Sequence, residues 1–191
     1  MQSLWQRTPA RPLPRPAEGA IRGPRTALPH LPKRVVAQTG TAALKTLRGH
    51  IPWSNVDRRL HSMRELWIAT SSPSGRPDAT PIWFWWDGSA VYFTCAAVAR
   101  KARNIEAQPE VVLLNGDGAD PIILKGRAER VLDRAELERV DDAYREKYVA
   151  PTTGERASIF VADDHVYRVH TRLVSAWSYA NASTRTDFEP D

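Results

Sequence analysis

Between residues 65 and 96 the apolar positions fall two apart, the period of a half-buried strand, and the run is broken by turn residues. LWIATSS leads to the turn PSGR (residues 73–76), then to DATPIWFWWDG and SAVYFTC, and the Asp87-Gly88 pair between the last two runs signals a tight hairpin. Ahead of this block Val56, Leu60 and Met63 recur at i, i+4 and i+7, which predicts an amphipathic helix with Ser54 as its cap. Behind it, VARKARNIEAQP reads as a short helix that begins at Ala99 or Arg100 and stops at Pro109. EVVLLNG and PIILKGRAERVL are two further strands across the loop GDGAD. Asp133 opens a longer helix, DRAELERVDDAYREKY, with Leu137, Val140, Ala143 and Tyr144 on one face. Two last strands are expected around ASIFVADDHVYRVH and LVSAWSYA. Residues 35–50 carry a weaker pattern, read as a peripheral helix over residues 42–47 between Gly40 and Gly49. Many antiparallel strands with few helices predict a mainly β fold, a closed or partly closed barrel with peripheral helices.

Composition divides the chain. The first 34 residues hold seven prolines, which block helix and sheet, while the arginines between them keep the segment solvated. Residues 1–50 are therefore expected to be a disordered basic tail, and residues 51–191 the folded domain. PLPRP within the tail has the form of a polyproline ligand, although a solvated extension is the commoner explanation of such a segment. The overall charge of +5 resides in the tail: residues 1–50 carry nine Lys/Arg against Glu18 alone, and residues 51–191 carry the other 18 basic and 21 acidic residues. A slightly acidic domain argues against a nucleic-acid partner. Cys95 is the only cysteine, so neither an intrachain disulfide nor a multi-thiolate metal site is open to this chain, and the five histidines lack helical ligand spacing. With no apolar run of ~20 residues and no apolar signal segment at its start, the protein is expected to be soluble and cytoplasmic, without a membrane partner.

Two stretches carry candidate chemistry. In VARKARN (residues 98–104), Arg100 and Lys101 stand at the start of a predicted helix, where unpaired N–H groups and the positive end of the dipole favour an anion such as a phosphate. Arg103, three residues on, is expected to point elsewhere. Read on its chemistry alone, such a run is more often a solvated basic face. In IWFWW, Trp83 and Trp85 lie on one side of a strand and Phe84 and Trp86 on the other, and the run serves as a core face whatever else it does. Pro81 has no N–H to give a partner strand, which suits an edge or a barrel mouth. Cys95 reads as a small buried hydrophobe.

The continuous run GRPDATPIWFWWDGSAVYFTCAAVARKARNIEAQPEVVLL, with GRAERV, Trp177 and TRTDF after it, resembles the flavin and deazaflavin oxidoreductases related to pyridoxamine 5′-phosphate oxidase, over residues 53–188. The resemblance implies an FMN-binding split β-barrel, a homodimer with a composite site, and FMN or coenzyme F420 as cofactor. It implies that the cofactor ring lies along the backbone of Thr80, Pro81, Ile82 and Trp83, that Thr94 lies near the phosphate or ribityl chain, and that Arg100 and Lys101 hold the phosphate. Trp177 and Arg185 correspond to residues a partner subunit contributes near the ring; read on their own, they are equally a core tryptophan and a solvated arginine. The chain departs from the family pattern in having Val98-Ala99 where Gly-Ser often opens the helix, Trp85 where classical oxidases carry a lysine, and no Arg-x-His near its end. Those departures argue against vitamin B6 chemistry and give a slight preference for coenzyme F420, and the resemblance implies a hydride transfer to or from a small conjugated substrate. Lys45, Arg48, Arg58 and Arg59 are the candidate basic exit for its anionic extension. The alternative is a non-catalytic flavin or haem binding or storage module on the same fold.

Overall fold

The computed structural model describes residues 44–179 and 181–190, with side chains given except at residues 181–184. The expected disordered tail lies outside these residues apart from its last seven positions. In chain order the elements are β1 (Leu44–Arg48), α1 (Trp53–Ser62), β2 (Glu65–Ser71), β3 (Pro77–Trp83), β4 (Trp85–Trp86), β5 (Ala90–Ala96), α2 (Arg100–Ala107), β6 (Glu110–Leu114), β7 (Ile122–Arg130), α3 (Arg134–Lys147), β8 (Asp164–Ser178) and β9 (Asn181–Pro190). Every ladder among them is antiparallel.

The strands run in the order β1-β9-β8-β7-β6-β2-β3, and β5 joins β8 and β4 off this path. The long strand β8 splits the sheet. Its first half pairs with β5 (Ala90↔His170 to Ala96↔Asp164), its second half with β9 (Val174↔Phe188), and β7 runs along its other edge beside both. The chain from β3 through Phe84 to β4 and β5 brings the sheet round on itself, and the result is the split β-barrel expected from the pattern. Phe84, Trp86, Val91, Phe93, Leu66, Ile68, Leu113, Leu124 and Val169 fill it. Each fully buried side chain of this size contributes about 1.5–3 kcal/mol. Trp53 of α1 meets Trp86 and Phe188 edge-on at 6.2 and 5.1 Å, closing one end. A second cluster, with Tyr92, Val140, Tyr144, Tyr148 and Ile159, lies where α3 covers the outside of β4, β5 and β8.

One turn, one helix cap and one bulge show local sequence deciding geometry. The Asp87 carboxylate accepts from the N–H groups of Ser89 and Ala90 at 2.8 and 2.7 Å, making the hairpin that Asp87-Gly88 signals. Asp133 caps α3 as expected, accepting from the Glu136 N–H at 2.7 Å. At the bulge between Lys125 and Gly126 the backbone of β8 comes so close that a Cβ on Gly126 would stand 2.2 Å from the His170 carbonyl oxygen.

Four expectations need correction. Residues 42–47 were read as a helix, but Leu44–Arg48 is strand β1, because pairing with β9 buries Leu44 and binds Arg48 to Asp187, a long-range gain invisible to local periodicity. That strand lies before residue 51, where the domain was expected to begin. Ser54 does not cap α1: the helix begins at Trp53, with Pro52 at the cap position and its carbonyl accepting from Asn55. The aromatic run breaks at Phe84, where the Tyr148 hydroxyl accepts the backbone N–H at 2.9 Å in place of a strand partner. The two expected final strands are one, β8, since the bulge at Gly126 lets the ladder pass Thr171-Arg172 without ending, and the last strand is β9.

Candidate cofactor site at the open edge and the start of helix α2

Strand β3 pairs with β2 and has no second ladder among the described residues. Its inward positions are Thr80 and Ile82, and Ile82 is 5% exposed. Its outward positions, Ala79, Pro81 and Trp83, are exposed. An unpaired strand edge presents backbone donors and acceptors to whatever lies beside it. Pro81, on this edge, removes one donor, as the pattern suggested. The Thr80 hydroxyl is sealed from water without a partner, which makes it a polar atom with unused hydrogen-bonding capacity beside that edge. Trp83 stacks on Tyr148 at 5.2 Å with the rings 4° from parallel, and the Tyr148 hydroxyl sits against the carbonyls of Arg64 and Phe84 at 2.5 and 2.8 Å. Tyr148 therefore fixes both the end of β3 and the ring that projects from it.

Strand β5 runs directly into α2. Thr94 is half-buried on its outward face, its Oγ1 3.4 Å from the His165 carbonyl and 3.5 Å from an Asp164 carboxylate oxygen, both long contacts that leave the hydroxyl weakly held. The chain turns at Ala96, whose carbonyl accepts from Ala99, and α2 begins at Arg100. Ala99 offers no side-chain cap and no acidic residue stands in the first turn, so the positive end of the helix is unanswered. Of the three cations, Arg103 donates to the Val98 carbonyl at 3.0 Å and is turned back onto the loop, as expected. Arg100 is exposed, Lys101 half-buried, and neither has a carboxylate partner among the described residues. The helix is tied to β2 by Asn104, which donates to the Thr70 hydroxyl at 2.9 Å. Cys95, on the inward face of β5, is a buried thiol pushed up to about 11 by burial, against the pull of Lys101, and does not act as a thiolate at neutral pH.

Trp177 and Arg185 stand together elsewhere, the guanidinium 5.6 Å from the Trp177 ring centroid and also directed at Asp187 and Ser175. Along the sheet β7, β6 and β2 stand between β8, which carries Trp177, and β3, while on its other side β8 pairs with β5. Of the expected basic exit, Arg48 is bound to Asp187 and Arg59 to the Asp120 carbonyl, which leaves Lys45 and Arg58.

One feature was missed from the sequence. The outward face of β3, β2, β6 and β7 carries an apolar patch: Trp67 is 42% exposed and Trp83 54%, with Pro81 opposite Trp67 and with Leu114 and Ile123 carrying the patch across two more strands. The signal was available, since Trp67, Leu114 and Ile123 hold strand positions that a solvated outer face would give to polar residues.

The residues present fit an anionic, flat cofactor: two unpaired cations and an uncapped helix start for a phosphate, and an open strand edge with an orphaned hydroxyl for a ring. Comparisons with known proteins agree in fold. Among solved structures, a conserved hypothetical protein of Mycobacterium tuberculosis matches at 23% identity and a TM-score of 0.57, covering 68% of this chain and 86% of that one. A putative pyridoxamine 5′-phosphate oxidase of Listeria innocua matches at 14% identity and 0.52, over 64% and 95%. The haem storage protein HutZ of Vibrio cholerae matches at 19% and 0.52, over 62% and 89%. No curated protein matches this chain. The family model described as pyridoxamine 5′-phosphate oxidase matches residues 54–178, from the first turn of α1 to the end of β8, and the chain belongs to that family.

Proposed function

We propose that the protein is an oxidoreductase that binds coenzyme F420 or FMN and moves a hydride to or from a small conjugated substrate. The observation that carries this reading is the start of α2, where Arg100 and Lys101 have no carboxylate partner among the described residues, beside an uncapped helix end, while Arg103 is turned away. In this reading Arg100 and Lys101 hold the phosphate, Thr94 hydrogen-bonds the chain leading from it, and the backbone of Thr80, Pro81, Ile82 and Trp83 orients the ring. The bound ring supplies the redox chemistry. Tyr148 keeps Trp83 in place at the end of that edge, and the barrel core behind Ile82 keeps water from one side of it.

The active unit is a homodimer. The apolar patch around Trp67, Pro81 and Leu114 is the surface a second copy covers, and in this reading the partner's copy of the Trp177–Arg185 pair lies near the ring. Lys45 and Arg58 remain as an exit for the longer anionic side chain of coenzyme F420. The test is the absorption spectrum and mass of the chromophore that accompanies the purified protein. A flavin or deazaflavin supports the reading; a haem spectrum, with neither flavin nor deazaflavin retained on addition, replaces it with binding or storage.

A further inference from the structure

A cavity of about 520 Å³ lies on the outside of the barrel between the β4–β5 hairpin, the first turns of α3 and β8, and is independent of the cofactor reading. It opens beside Ala90 and His170, four residues along β5 and β8 from Thr94, or about 13 Å. Most charges at its wall neutralise one another. Arg168 donates to Glu136 at 2.7 Å and is also bound to Glu129, His170 meets Glu129 at 2.7 Å, and Glu136 accepts from the Tyr92 hydroxyl at 2.8 Å.

Two charges are left over. Arg139 has no carboxylate partner among the described residues; its guanidinium lies 5.3 Å from the centroid of the Trp85 ring and 5.7 Å from that of Tyr92 and gives one hydrogen bond, to the Tyr92 hydroxyl at 3.3 Å. Stacking on two rings fixes the plane of the fork and leaves most of its N–H groups for a ligand. Asp87 likewise has no cationic partner among the described residues. Its Oδ1 is saturated by Ser89 N–H, Ser89 hydroxyl and Ala90 N–H, while its other oxygen takes no hydrogen bond from the described residues. One held guanidinium and one held carboxylate, of opposite sign and otherwise unanswered, therefore border the same cavity.

We infer that this cavity binds a small zwitterion, a molecule of amino-acid size whose carboxylate meets Arg139 and whose ammonium meets Asp87. A planar carboxylate matches the guanidinium fork in two parallel hydrogen bonds. A second negative charge on the ligand is opposed by Asp87 and Glu136, and a second positive charge by Arg139 and Arg168. Simple anions and simple cations each answer half of the site.

Amide spectra of the ¹⁵N-labelled full chain, titrated separately with L-glutamine, acetate and methylammonium, test this. L-glutamine should give saturable shifts at Ser89, Ala90 and Ala135 and none at Thr94 or Arg100. Acetate and methylammonium should bind at least tenfold more weakly. Arg139→Gln should weaken L-glutamine at least tenfold while its own spectrum away from the cavity stays unchanged, and Arg139→Lys should recover part of the loss. Absence of saturable shifts with L-glutamine, shifts that survive Arg139→Gln, or acetate binding as tightly as L-glutamine would each overturn the assignment.

Discussion

Replacing Lys147 by Met should stabilise the protein at neutral pH. The Lys147 amine, at the last turn of α3, is sealed from water without a hydrogen-bond partner, 3.8 Å above the Phe84 ring and 5.6 Å from that of Tyr148. Burial, with the charge of Arg64 nearby, pulls it down from 10.5 to about 7. A displacement of that size disfavours the ammonium by roughly 4–5 kcal/mol. The attraction of the Phe84 ring for the cation offsets part of this, which leaves a cost of about 2–3 kcal/mol at pH 7. The sign follows from linkage. Between pH 7 and 10.5 the unfolded chain binds more protons at this site than the folded one, so stability rises with pH across that window. Below pH 7 both states are charged and the full cost is present; above 10.5 both are neutral and it vanishes. Methionine fills a similar volume with no charge to desolvate. Urea unfolding of wild type and Lys147→Met at pH 6.5 and 9.5 isolates the effect, because contributions from Cys95 and the tyrosines cancel between the two proteins. The variant should be more stable by about 2–3 kcal/mol at pH 6.5, and the advantage should shrink to roughly 1–1.5 kcal/mol at pH 9.5. A variant that is less stable at pH 6.5, or a difference that does not change with pH, would refute the reasoning.

Deleting residues 1–43 should leave the melting temperature within a degree or two. Extending the deletion through Arg48 should lower stability by roughly 2–4 kcal/mol in urea unfolding, since it removes buried Leu44, the β1–β9 ladder and a charged partner of Asp187. Gly126→Ala should cost more than about 2 kcal/mol in the same assay, because its Cβ meets a backbone carbonyl that cannot step aside. Trp67→Glu places a charge in the apolar outer patch and, if the proposed dimer forms there, should convert it to monomer by light scattering, with cofactor affinity falling in step; a dimer of unchanged mass would show that this face is not the contact.

What the sequence made legible was local. The two-residue period from LWIATSS to SAVYFTC, the Asp87-Gly88 turn, the cap at Asp133 and the helix start at Arg100 all depend on neighbours within a few positions, and each is found where the pattern put it. What it hid depends on partners far along the chain. Strand β1 is a strand because β9 lies beside it, more than 130 residues away, and the break at Phe84 exists because Tyr148, 64 residues on, supplies a hydroxyl to its N–H. The same holds at the site. That Arg103 turns away followed from helix spacing, whereas the place of β7, β6 and β2 between β8 and β3 follows only from strand order.

The phosphate cradle is the part of the account on which the rest stands. Equilibrium titration of FMN and coenzyme F420, side by side, into wild type, Arg100→Ala and Lys101→Ala measures it directly, with Arg103→Ala as the control whose side chain is already committed to Val98. Losing one charge-assisted hydrogen bond costs about 1.5–3 kcal/mol, so each of the first two variants should raise the dissociation constant of the tighter cofactor by roughly 10-fold to 150-fold, and Arg103→Ala should change it little. Unchanged dissociation constants in both Arg100→Ala and Lys101→Ala would contradict the account and return these residues to a solvated helix face.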